Sequence, residues 1–154
     1  MTAEGEPRWL TADQQRVWRA YLLGAARLTE ALDADLRRFD VDLPEYEILV
    51  TLSEAPERQL RMSELATAVH QSRSRLTHTI SRMERDKLVE RVGCPTDRRG
   101  VWATLTETGM DRLRTAAPCH VAAVRQFFVD AVDPQDYAAL GRAFEAVINA
   151  TEPG

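Results

Sequence analysis

The chain has 154 residues, with 20 Lys and Arg against 24 Asp and Glu and a formal net charge of −4. That length suits a single domain, or one domain with an extension, and can bury a real core. An acidic balance argues against indiscriminate coating of nucleic acid. Cys94 and Cys119 make neither a disulfide framework nor a metal-ligand spacing. With no secretory or transmembrane run in the sequence, a cytoplasmic protein that does not enter membranes is expected.

Residues 1–9 read as a frayed terminus. Thr11 to Gln14 is a capping-box pattern, with Thr11 as N-cap and Gln14 at N3. It opens a long helix reaching about Phe39, with Val17, Tyr21, Leu22, Leu28, Leu32 and Leu36 as its apolar stripe and Trp9, Leu10 and Trp18 near its start. Leu43-Pro44 begins a second helix, where the proline's missing N–H costs nothing. Tyr46, Leu49, Val50 and Leu52 pack inward and Ala55-Pro56 ends it. Glu57 to Arg61 is read as a polar connection.

The stretch from Met62 to Gly109 is the most informative. Ser63 is a good N-cap for a short helix with Leu65, Ala66 and Val69 on its apolar side. His70-Gln71-Ser72 breaks it, and Ser72 caps a second helix from Arg73 to about Asp86. At ~100° per residue, Leu76, Ile80 and Met83 form a core stripe, with Lys87 in the same sector. Ser74, His78, Ser81, Arg82 and Arg85 lie opposite, flanked by Arg75 and Thr77. Hydroxyls and guanidinium groups suit phosphates and base edges in a major groove. Leu88 to Val92 and Val101 to Leu105 then read as two strands joined by the turn residues Gly93 to Gly100, with Asp97-Arg98-Arg99 at the tip. Helix, turn, helix and hairpin make a winged helix. The wing arginines are placed to reach a minor groove or its phosphates, with Asp97 holding one guanidinium in position.

Thr106 caps a fifth helix, which Pro118 is expected to kink or interrupt. Val121, Val124, Phe127, Phe128 and Val132 make its second half strongly apolar. Asp133-Pro134 starts a last helix through Tyr137, Leu140, Phe144, Val147 and Ile148. Charge is distributed unevenly along this order. Residues 61–100 hold 9 Lys/Arg against 5 Asp/Glu, a local +4, and the remainder holds 11 against 19, a local −8. A basic module in an acidic body is the footprint of a protein that meets DNA by one face.

Leu65-Ala66, the basic helix Ser72–Arg85, Leu88-Val89, the wing Asp97-Arg98-Arg99, and Leu105-Thr106 with Gly109 together resemble the winged-helix core of the multiple antibiotic resistance regulator (MarR) family. The D-x-R wing followed by L-T-x-x-G is the most specific part. The resemblance implies a mainly α fold with a small β-hairpin wing. Residues 43–105 form the winged helix-turn-helix domain, and residues 8–40 and 106–150 form a helical dimerisation region. It also implies a homodimer on a pseudo-palindromic double-stranded DNA operator, most simply a repressor. A two-fold dimer presents its recognition helices about one turn of DNA (~34 Å) apart. Base reading would fall to Ser74, Arg75, Thr77, His78, Ser81 and Arg82, with Ser72, Arg73, Arg98 and Arg99 fixing register on phosphates. Relatives of this kind take small aromatic or phenolic ligands in a crevice, here lined by Trp18, Tyr21, Tyr46 and Met110.

Each feature also has a plainer reading. A basic helix face is often only a solvated face, the four crevice residues are often simply core, and the terminal helices can fold back on a monomer's own core. No catalytic constellation, cofactor motif or metal-ligand spacing is present, so neither an enzyme nor a metalloprotein is expected. A zinc site built from His120 and distant carboxylates is disfavoured. Two alternatives remain beside the ligand-released regulator. One is a winged-helix protein-interaction module without DNA binding. The other is a redox-sensing regulator using Cys94, whose arginine neighbours would lower an exposed thiol's pKa.

Overall fold

The computed structural model describes residues 7–94 and 96–152, and for residues 97–99 the backbone alone. Helix α1 (Ala12–Leu36) starts at the expected capping box: Thr11 Oγ1 accepts from Gln14 N, and the Gln14 side chain accepts from Thr11 N. A 3-10 turn over Arg37–Phe39 follows. Helix α2 (Leu43–Glu54) is capped by Asp42, in a second capping box with Glu45. Strand β1 (Gln59–Arg61) occupies the segment expected to be a connection, so the sheet has three strands in the order β1-β3-β2. Three residues are too few for an alternation to show, and β1 exists because β3 offers it an edge: Leu60 pairs with Ala103 and Arg61 with Trp102.

Helix α3 (Met62–Ala68) leaves that strand without a break. Arg61 therefore stands at the N-cap in place of Ser63, and its N–H donates to Glu64 Oε2 at 3.2 Å. Helix α4 (Arg73–Arg85) is capped by Ser72, whose hydroxyl accepts from Arg75 N. Strands β2 (Val89–Cys94) and β3 (Asp97–Leu105) are antiparallel and longer than expected. Asp97 to Gly100 thus continues a strand and does not form the turn at the hairpin's tip, because pairing persists past an irregularity at Gly93/Cys94 to Cys94 and Asp97.

Helix α5 (Glu107–Val124) is continuous through Pro118, so the proline does not end it. A proline removes one hydrogen bond to the carbonyl four residues earlier; Leu113, Ala116 and Ala123, buried on either side of it, keep the helix seated. The irregularity comes later, as a π-type turn over Arg125–Val129 in which Asp130 N donates to Arg125 O at 2.7 Å. Helix α6 (Pro134–Thr151) is capped by Asp133.

The core belongs to the winged helix. Ile48, Leu49, Leu52, Leu65, Leu76, Ile80, Met83, Leu88 and Val89 are buried, and Leu36 and Ala116 extend it to α1 and α5. Of the predicted α1 stripe, Leu32 and Leu36 are buried and Leu28 is half-buried, while Val17, Tyr21 and Leu22 are exposed, as is Trp18 beside them. Helix α6 buries none of its residues, and Phe144, Val147 and Ile148 face outward. The apolar periodicity is present, but among the described residues nothing covers it.

The L-T-x-x-G signature has a physical basis at the junction of wing and α5. Thr106 Oγ1 accepts from Gly109 N at 2.9 Å, capping α5, and donates to Lys87 O at 2.7 Å, with Leu88 O at 3.0 Å. Gly109 lies so close to the strand that an added Cβ would fall 2.1 Å from Leu88 O. Helix α4 ends just before this point with Lys87 at φ 62°, a left-handed conformation that lets Leu88 N bond back to Met83 O at 2.9 Å.

Candidate nucleic-acid interface

Burial divides α4 into two faces. Leu76, Ile80 and Met83 are buried as expected, joined by Thr79, whose hydroxyl satisfies Arg75 O at 3.1 Å. On the other side Ser72, Arg73, Ser74, Arg75, Thr77 and His78 are exposed together. The hydroxyls of Thr77 and Ser81 donate back to Arg73 O and Thr77 O, at 2.8 and 2.9 Å. The Thr77 oxygen remains available as an acceptor.

Ser81 and Arg82 are placed differently from the rest. Ser81 is half-buried, and its oxygen accepts from Arg91 Nη2 at 3.1 Å. Arg82 is turned toward the start of α2: its Nη2 lies 3.1 Å from Asp42 Oδ2 and its Nε 3.4 Å from Glu45 Oε1. Glu45 is buried, and that desolvation pushes its carboxyl above the ordinary glutamate value.

Arg91 is the residue the sequence reading missed. From β2 it holds Glu84 of α4 through three bonds: Arg91 N to Oε1 at 3.1 Å, and Nε and Nη2 to Oε2 at 3.0 and 2.7 Å. The side-chain hydrogen bonds from Arg91 keep the Glu84 carboxyl below its ordinary range. The wing is thereby braced against the helix. A separation of seven residues across a turn carries no sequence signal for such a pair. A cleft of about 520 Å³ opens beside this brace, with Arg61, Arg73, Thr77, Arg91 and Gly100 on its walls. Across α4, a second of about 400 Å³ is lined by Asp42, Ser74, Arg75, His78 and Arg82. The side chains of Asp97, Arg98 and Arg99 lie outside the described residues, so the proposed contact between Asp97 and a wing guanidinium does too.

The four predicted crevice residues are separated. Trp18 and Tyr21 stack at 5.6 Å and Tyr21 meets Phe144 at 6.0 Å, on the wall of a groove of about 710 Å³ between α1 and α6. Tyr46 is buried instead, its ring 4.3 Å from that of His120, and burial raises its phenol above the ordinary value. Met110 packs on the winged-helix core. None of the described clefts has all four on its wall. His120 Nδ1 is buried without a hydrogen-bond partner, and desolvation lowers the imidazole's pKa, an effect Asp35 partly opposes. Among the described residues no group of three or more His, Cys, Asp or Glu is arranged to hold a metal ion, and no helix is long and apolar enough to cross a membrane. Cys94 Sγ lies 4.0 Å from Arg61 Nη2 and 3.4 Å from Thr96 Oγ1.

This geometry has close counterparts among known proteins. The sequence profile of the MarR family matches residues 39–100. The crystal structure of AbsC, a MarR family transcriptional regulator from Streptomyces coelicolor, is 46% identical and superposes with a TM-score of 0.89, covering 94% of this chain and 97% of that one. The chain belongs to the MarR family. A second MarR-family regulator from Streptomyces coelicolor, Sco3205, was crystallised in complex with DNA; it is 43% identical, with a TM-score of 0.92 over 96% of this chain and 94% of that one. The HTH-type transcriptional repressor IacR of Pseudomonas putida is 30% identical over 96 residues, 62% of this chain but only 55% of that repressor. AbsC and Sco3205 are MarR family transcriptional regulators, and IacR is a transcriptional repressor of the HTH type. The mainly helical fold with a small antiparallel wing, expected from sequence, is the fold they share.

Proposed function

We propose that this MarR-family chain is a homodimeric, sequence-specific DNA-binding regulator, acting as a repressor on a pseudo-palindromic operator and released by a small aromatic ligand. The observation that carries the proposal is the division of α4. Its inner face is sealed into the core by Leu76, Ile80 and Met83, while Ser74, Arg75, Thr77 and His78 stand exposed on the outer one. In this reading those four, with Ser81 contributing at the edge, meet base edges. Ser72, Arg73 and the wing residues Arg98 and Arg99, oriented by Asp97, hold phosphates. The DNA complex of the 43%-identical Sco3205 supports the same use of the fold.

The dimer rests on the uncovered apolar surface. Val17, Trp18, Tyr21 and Leu22 of α1 and Phe144, Val147 and Ile148 of α6 are exposed together, and a second copy of the chain is the partner such a surface fits. The groove beside Trp18 and Tyr21 is of a size that small ligands occupy. Roofed by a partner, it is the ligand site these two residues support, and Tyr46 and Met110 would join only through rearrangement of the core.

Fluorescence anisotropy tests the DNA reading directly, with duplex DNA from upstream of the protein's own gene and a scrambled duplex as control. Tight, sequence-dependent binding that weakens steeply with salt is expected. Equal, salt-insensitive binding to both duplexes would leave the interaction-module alternative standing. Replacing Arg98 or Arg99 by Ala should weaken all sequences alike and flatten the salt slope, while Ser74→Ala or His78→Ala should change the preference among operators. Titration calorimetry with aromatic acids that shows no heat would count against the ligand.

A further inference from the structure

The Arg82 contacts form one arrangement. Asp42 and Glu45 each have two carboxylate oxygens and divide them the same way. Asp42 Oδ1 accepts from Glu45 N at 2.9 Å and Glu45 Oε2 from Asp42 N at 2.9 Å, closing the capping box of α2. The remaining oxygens, Asp42 Oδ2 and Glu45 Oε1, face the Arg82 guanidinium at 3.1 and 3.4 Å. Only the Glu45 end is sheltered: its side chain is 10% exposed, against 32% for Asp42 and 49% for Arg82.

The same junction is tied to two further helices. Leu43 N donates to Asp33 Oδ1 of α1 at 2.9 Å, and Asp33 Oδ2 pairs with Arg37 at 2.6 Å. From α5, Arg112 Nη1 donates to Phe39 O and Asp40 O at 3.0 and 3.1 Å. The recognition helix is thus joined through one guanidinium to the point where α1, α2 and α5 meet. With two ionised carboxylates beside it, the guanidinium belongs to a cluster of net charge −1, which does not attract a phosphate.

We propose that Arg82 is a positioning residue, through which the capping-box carboxylates Asp42 and Glu45 set the placement of the recognition helix against the α1–α2 junction. The proposal rests on the DNA-binding reading and deepens it, by removing Arg82 from the residues that meet DNA. It also makes a counterintuitive prediction. Asp42 borders the DNA-facing cleft, so simple electrostatics says that neutralising it should tighten DNA binding. Positioning says that binding should weaken.

The test is the double variant Asp42→Asn with Glu45→Gln. Asn is a good N-cap and Gln completes a capping box, so α2 keeps its start while Arg82 loses both charged partners. Binding is measured against the duplex that the wild-type protein selects most tightly from a random library, over a series of salt concentrations. A loss of roughly threefold to thirtyfold is expected, the range seen when a coupling residue outside the contact surface is changed. The salt slope and the melting temperature should stay at wild-type values. Arg82→Gln should lose a similar amount with the same slope, the triple variant should add little more, and Arg82→Lys should recover part of the loss. Wild-type or tighter binding by the double variant overturns the proposal. So does a salt slope reduced by about 0.9 in Arg82→Gln, the signature of one lost phosphate contact. If wild-type protein selects no duplex at all, the DNA-binding reading fails first and this proposal falls with it.

Discussion

Gly109→Ala is the substitution whose outcome the structure specifies most sharply. The new methyl would stand 2.1 Å from Leu88 O, 2.6 Å from Leu105 Cδ1 and 3.0 Å from the Leu88 carbonyl carbon. Leu105 can turn aside, but Leu88 O is backbone and is already held by Thr106 N at 3.1 Å. Helix α5 must therefore move away from the strand by about an ångström, and forcing an extra methyl into a packed site costs about 1–3 kcal/mol. The upper end applies, because the obstacle is a carbonyl in a hydrogen-bonded junction. Alanine's better helix propensity returns at most about 1 kcal/mol. The net loss is about 2 kcal/mol, which for a chain of this size lowers the melting temperature by about 4–8 °C. Thermal denaturation at fixed protein concentration measures it. Gly93→Ala, in the same hairpin with nothing within 4 Å of its added Cβ, is the control and should be neutral or slightly stabilising. If Gly109→Ala melts with or above the wild type, the reading of the signature as a steric junction is wrong.

Three further outcomes follow from the same structure. Phe144→Glu, on the exposed face of α6, should convert a dimer to monomer in sedimentation velocity, and a wild-type protein that sediments as a monomer would refute the proposed interface. Lys87→Gly removes a side chain from a left-handed position at the end of α4 and should stabilise by about 1 kcal/mol in urea unfolding. His120 sits against Tyr46 and near Asp35 with its pKa lowered by burial. A base with a depressed folded pKa contributes stability above its ordinary value of 6.5 that is lost as pH falls toward the folded value. His120→Phe should therefore flatten the fall in melting temperature between about pH 7 and about pH 5, and an unchanged profile would remove His120 as its source.

What the sequence made legible was local. The capping box of Thr11 with Gln14, the caps at Ser72 and Thr106, the start of α6 at Asp133-Pro134, and the stripe Leu76, Ile80 and Met83 each depend on residues within one or two helical turns, and each stands where the spacing put it. What escaped depended on partners distant in the chain. Strand β1 exists only beside β3, Arg61 displaces Ser63 as cap because that strand precedes it, and Pro118 is tolerated because buried neighbours hold α5. At the candidate interface, helical spacing put Arg82 on the outer face, where it is exposed, but its pairing with Asp42, forty residues away, left no signal in the sequence. The resemblance gathers the aromatic residues in one crevice, but burial divides them, Tyr46 to the core and Trp18 and Tyr21 to an open face.

The three-stranded sheet gives the wing uneven stiffness. At its root, Trp102, Ala103 and Thr104 of β3 have strands on both sides, β1 on one and β2 on the other. Farther out, β3 has β2 alone, and the ladder is irregular at Gly93/Cys94. Bending is thus concentrated at one place, as in a cantilever clamped at one end. Helix α4, wedged into the core and braced by Arg91, has no comparable freedom. If the proposed reading holds and both elements grip duplex DNA, sequence tolerance should differ along the operator: strict beneath the helix, forgiving at the flanks where the hairpin can follow the groove.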